Sequence, residues 1–133
     1  MRKYVKSPKE IDNIKVIQDG KKIKEALLNG ETVMHWEYGD SMYPILMSGE
    51  YVKLTPITEE NRKNLKGKPV FCTFEYNANG KKDEITMVHL CTDVHVRNDG
   101  TIFCKIETTN GYLYGWTTNV YGIGESTDIF EDS

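Results

Sequence analysis

A chain of 133 residues, 38% of them hydrophobic and 28% charged, is long enough to bury one compact core and is expected to fold as one main domain. Its 17 basic and 20 acidic residues leave a net charge of −3, and the early lysines (Lys3, Lys6, Lys9, Lys15, Lys21, Lys22, Lys24) are interleaved with Asp and Glu, so the basic footprint of a nucleic-acid binder is missing. No transmembrane run and no signal-peptide core near Met1 is present, and the expectation is a soluble, cytoplasmic protein with no membrane partner.

Residues 1–13 are polar, with Pro8, and read as an N-terminal arm. Ile14-Lys15-Val16-Ile17 is a short apolar piece, either a strand or part of a first helix. Lys21 to Leu28 has a helical period, with Ile23, Ala26 and Leu27 on one side; Asp19 is placed to cap it and Asn29-Gly30 to stop it. Thr32 to Glu37 alternates and reads as a strand. Tyr51 to Leu54 is a further strand, Thr58 to Leu65 a short helical turn, and Val70 to Tyr76 a strand rich in β-branched and aromatic residues. Asn79-Gly80 is a hairpin turn into a long strand from Ile85 to Val96. Asn98-Asp99-Gly100 turns that strand into Thr101 to Glu107. Tyr112 to Trp116 and Val120 to Gly124 close the series, and 126–133 reads as an acidic tail. Residues 14–125 are therefore one mainly antiparallel β domain with one or two short N-terminal helices. Cys72, Cys91 and Cys104 are odd in number and widely spaced, which suits buried free thiols and not a disulfide framework.

The most specific stretch is Gly39-Asp40-Ser41-Met42-Tyr43-Pro44, followed by the turn Gly49-Glu50 into Tyr51-Val52. Gly39 permits a bend, Pro44 restricts its own backbone and that of Tyr43, and an inward Met42 would seat Ser41 on a rigid base. A nucleophilic serine needs that fixed orientation, with N–H donors nearby for an oxyanion.

This stretch resembles the Ser-Met-x-Pro box of the LexA-like and signal-peptidase-like serine peptidases. Those families have Gly-[Asp/Asn]-Ser-Met-x-Pro and then a Gly-Asp-x-Val turn; here Glu50 stands in place of the usual Asp. Asn110-Gly111-Tyr112, Tyr114-Gly115-Trp116-Thr117 and Tyr121-Gly122-Ile123 also resemble small Ser-Met-x-Pro proteins of phages and bacteria. The resemblance spans Lys21 to Gly124 and implies a coiled antiparallel β fold. It implies Ser41 as nucleophile, with Asp40, Met42 and Pro44 shaping the site and the N–H groups around Ser41 and Met42 holding the oxyanion.

A base must accompany the serine. Most relatives place a lysine on the hairpin strand after the box. The matching strand here, Glu84 to Cys91, carries His89, similar to the Val-His pair of eukaryotic-type signal peptidases. Neutral imidazole titrates near working pH and suits the task. Asn110 is the candidate orienting group, Asp93 lies too far along its strand, and no clear carboxylate completes a triad. His35 reads as an ordinary strand residue and Trp116 as a core or edge plug. His89, Cys91, His95 and Cys104 lack metal-site spacing, so no metal and no cofactor is expected.

Two functions follow from the resemblance. One is a Ser/His peptidase acting on an extended peptide or protein substrate laid along a strand edge. Self-cleavage of the LexA kind is not expected, because the segment before Ser41 is short and has no Ala-Gly or Cys-Gly bond. The other is a non-catalytic structural or partner-binding protein, phage-encoded or bacterial, that keeps the fold within an assembly.

Overall fold

The computed structural model of the chain describes residues 8–131. Residues 1–7 of the expected arm and 132–133 of the expected tail lie outside them. Strands β1 (Glu10–Ile11) and β2 (Ile14–Lys15) pair as a small hairpin. Asp12 and Asn13 turn it with φ of 53° and 65°, a region that short polar side chains tolerate. Val16 then bridges in parallel to Met34, so the piece left open between strand and helix is extended.

Helix α1 (Gly20–Leu28) begins where expected. The Asp19 carboxylate accepts from the N–H groups of Lys21 and Lys22 at 2.9 and 3.1 Å, filling two of the donors that a helix start leaves open. Ile23, Ala26 and Leu27 form its buried stripe. Gly30, at φ +81°, takes the left-handed stop.

The remaining strands form one seven-stranded antiparallel sheet. They are β3 (Val33–Trp36), β4 (Glu50–Pro56), β5 (Pro69–Ala78), β6 (Lys81–Val96), β7 (Ile102–Glu107), β8 (Leu113–Thr117) and β9 (Val120–Phe130). Their order across the sheet is β3-β4-β9-β5-β6-β7-β8. A single 3-10 turn, Asn61–Asn64, occupies the expected helical stretch after β4. The fold is thus mainly β with one short helix. No described helix is long and apolar enough to cross a membrane.

The expectation of a tail at 126–133 needs correction. Residues 126–130 complete β9, and Phe130 pairs with Glu50. The physical reason is the Glu50 side chain, described below, which takes up polar groups of Ser126, Thr127 and Asp128.

Two apolar cores share the β5–β6 hairpin as a wall. One gathers Ile23, Ala26 and Leu27 of α1 with Val33, Met42, Leu46, Val52, Leu54, Phe71 and Val88. The other gathers Leu65, Val70, Cys72, Cys91, Cys104 and Ile106. Strand alternation sends Phe71 to the first and Val70 and Cys72 to the second. This explains the near-continuous apolar run at the start of β5. All three cysteines are buried free thiols.

Helix α1 sits close against β6. A Cβ on Gly20 would fall 1.9 Å from Thr86 Oγ1 and 2.8 Å from Thr86 Cβ. Gly20→Ala is expected to destabilise the fold by about 1–3 kcal/mol, as overpacking does. Adding Thr86→Ala, which removes the nearest of these atoms, is expected to recover part of the loss in chemical denaturation.

Candidate functional site

The Ser-Met-x-Pro box lies in a loop between β3 and β4 that is closed at its base by backbone pairing. Glu37 N–H donates to Glu50 O at 2.8 Å and Gly49 N–H donates to Glu37 O at 2.7 Å. Gly39, at φ +104°, bends the chain, and its N–H donates to Ser48 Oγ at 3.1 Å. Within the loop, Tyr43 N–H donates to Asp40 O and Leu46 N–H to Met42 O, at 3.1 and 2.9 Å. The Tyr43–Pro44 peptide is cis. Met42 and Leu46 are fully buried in the first core. Ser41 is half-buried at the bend, while Asp40, Tyr43 and Pro44 are exposed. Among the described residues the N–H groups of Ser41 and Met42 donate no hydrogen bond, and Ser41 Oγ makes none.

The loop is held from outside by Thr109. Its N–H donates to Ser41 O at 3.0 Å. Its hydroxyl lies 2.6 Å from Tyr43 O and 3.1 Å from Ser41 O, so one proton serves both carbonyls. Thr109 belongs to the turn that leaves β7. Thr108 N–H donates to Tyr112 O at 2.9 Å, and Tyr112 N–H returns to Thr108 Oγ1 at 3.0 Å. The Thr108 hydroxyl also donates to Asn110 Oδ1. Asn110, the expected orienting group, is therefore engaged with Thr108.

The same turn lies beside His89. Glu107, the last residue of β7, pairs with Leu90. His89 pairs with Val70 on its other flank. The His89 ring stacks on Tyr114, centroids 4.5 Å apart at 21°, and Tyr112 meets Tyr114 edge-on at 5.0 Å. His89 Nδ1 is buried without a hydrogen-bond partner. Burial pushes the His89 pKa below the ordinary 6.5, which keeps the ring neutral at pH 7. No hydrogen bond joins Ser41 to His89 among the described residues. Asp93 lies past the β6 bulge, where Lys66 Nζ is 3.7 Å from its carboxylate.

A second cluster sits at the base of the loop. Glu50 is 1% exposed. Its Oε1 accepts from Ser126 Oγ and from the N–H groups of Thr127 and Asp128 at 3.0 and 3.2 Å; its Oε2 accepts from Met47 N–H at 2.9 Å. Glu37 is also buried, and its Oε2 has no hydrogen-bond partner. His35 Nε2 stands 3.8 Å from that oxygen, and burial lowers the His35 pKa. Burial, and then the charge of Glu50, push the Glu37 carboxyl up to about 7. Sequence reasoning missed this cluster and the Thr109 latch. The Glu at the Gly49-Glu50 turn was the available signal for the first, and the Thr108-Thr109 pair for the second.

Compared with known proteins, the chain matches no family model, no curated protein and no solved structure. Among the described residues no three His, Cys, Asp or Glu side chains are grouped to hold a metal ion.

The Glu37 shift makes stability depend on pH. Below its unfolded pKa near 4.5 the group is protonated in both states and contributes no penalty. Between there and about 7 the unfolded chain releases its proton first, so stability falls as pH rises. The penalty levels off above 7 at about 3 kcal/mol. Glu37→Gln is expected to leave stability near pH 4 unchanged and to raise it at pH 8, read from urea unfolding at both pH values.

Proposed function

We propose that the chain is a peptide-directed serine hydrolase with Ser41 as nucleophile and His89 as general base. The observation that carries this reading is the bend at Ser41. It presents a free hydroxyl beside two unbonded N–H groups, on a base anchored by buried Met42 and latched by Thr109. Nucleophile and oxyanion donors are what acyl transfer asks of one short segment. The resemblance of Gly39 to Pro44 to the Ser-Met-x-Pro box of LexA-like and signal-peptidase-like enzymes supports the same assignment. Tyr38, Tyr43, Ile45 and Met47 are exposed around the loop and offer an apolar rim for a peptide or protein substrate.

In this mechanism Ser41 Oγ attacks the peptide carbonyl carbon while His89 takes the hydroxyl proton. The carbonyl oxygen, now negative, turns to the N–H groups of Ser41 and Met42. The imidazolium returns its proton to the leaving amine as the C–N bond breaks. Water, deprotonated by His89, then releases the acyl group. The Ser41–His89 hydrogen bond forms in the substrate complex, since catalytic contacts tighten on binding.

A second reading, partner binding without turnover in an assembly, is favoured by one observation. His89 Nδ1 has no group to orient it, and the ring is stacked on Tyr114 instead.

A fluorophosphonate probe followed by mass spectrometry separates the two. Labelling of Ser41 is expected in the wild-type chain and absent in Ser41→Ala. His89→Ala is expected to slow it about 10²–10³-fold, the usual contribution of a general base. The rate is expected to be flat above pH 7 and to fall on acidification below 6.5, as the buried imidazole gains its proton. An unlabelled Ser41 at every pH sinks the hydrolase reading and leaves partner binding.

A further inference from the structure

Strand β8 ends the sheet, and its side chains are unusually apolar for a terminal strand. Leu113 and Trp116 are 51% and 45% exposed, and Tyr112, just before the strand, 64%. Trp116, expected to plug the core or an edge, faces solvent instead. Opposite it on β7 is Lys105, which pairs with Glu107 at 3.2 Å. Trp116 lines a hollow of about 330 Å³ together with His95, Arg97 and Phe103. The Arg97 guanidinium lies over the Phe103 ring at 4.5 Å. Among the described residues Arg97 has no carboxylate partner.

We infer that this hollow is a side-chain pocket for a glutamate of a bound peptide. The carboxylate seats on Arg97 and the methylenes lie against the Trp116 indole. A guanidinium over an aromatic face keeps N–H groups free for a two-point bond to a carboxylate. Trp116 follows Tyr114 by two residues across the β7–β8 bulge, and Tyr114 carries the His89 stack. A nucleic-acid strand fits less well, because a chain of net charge −3 repels a row of phosphates. The pocket rests on the reading of the chain as peptide-directed, and not on turnover at Ser41.

The test uses the Ser41→Ala chain, so that binding is seen without cleavage. Two nonapeptide pools are compared, one with glutamate fixed at the central position and one with glutamine there. The probe is the Trp116 indole N–H signal in NMR, assigned by Trp116→Phe; the Trp36 signal reports that each variant is folded. The glutamate pool is expected to shift the Trp116 signal and to bind about fivefold more tightly. Arg97→Gln is expected to abolish the difference, and Arg97→Glu to favour a lysine pool. Equal binding of the two pools, a Trp116 signal that neither pool moves, a preference that survives Arg97→Gln, or tighter binding of a thymidine decamer each overturns the pocket. A glutamate preference with no probe labelling of Ser41 sinks the hydrolase alone, and labelling with no preference sinks the pocket alone.

Discussion

The loop that carries Ser41 depends on a carboxylate placed where water cannot reach it. Burying a charge costs several kcal/mol unless donors replace the lost water. Glu50 meets that demand with Met47 N–H on the loop side and Ser126 Oγ, Thr127 N–H and Asp128 N–H on the strand side. The same four donors fix two segments against each other. The loop cannot lift from β9 without stranding the charge, and β9 cannot peel away without leaving three donors open. Glu37 shares this enclosure without donors of its own, so its proton stands in for the missing partners near neutral pH.

On the other side the loop is held by a neutral device. Thr109 bonds two carbonyls of the box, and the turn that carries it closes on itself through Thr108 and Tyr112. That turn is where it is because β7 pairs with β6, and β6 is one wall of both cores. Position at the box therefore passes from the β5–β6 hairpin through β7 to Thr109. His89 shares the hairpin, so the two candidate catalytic residues are referred to a common frame from opposite directions.

Much of this frame was legible. The period of Ile23, Ala26 and Leu27 with the Asp19 cap located α1, and Asn79-Gly80 located the long hairpin. These signals are local, which is why a single sequence carries them. The extension of β9 was hidden because 126–131 is acidic; yet Thr127 and Ile129 alternate with exposed neighbours, the pattern of a half-buried strand. Glu50 read only as a departure from a family turn, because three of its four donors lie 76 to 78 residues away. The extra methylene of glutamate over aspartate lengthens its reach toward β9. Asn110 was a reasonable orienting candidate by position. Its amide is occupied by Thr108, a contact within two residues that no spacing argument anticipates.

The reach of Glu50 also bears on how the molecule is made. Helix α1 and the β3–β4 pair require only contacts nearby in the chain. The enclosure at the base of the loop waits for Ser126 to Asp128, nearly the last residues described. Loop closure over that separation is slow compared with helix or hairpin formation. In folding, the serine segment therefore stays unset until β9 seats between β4 and β5.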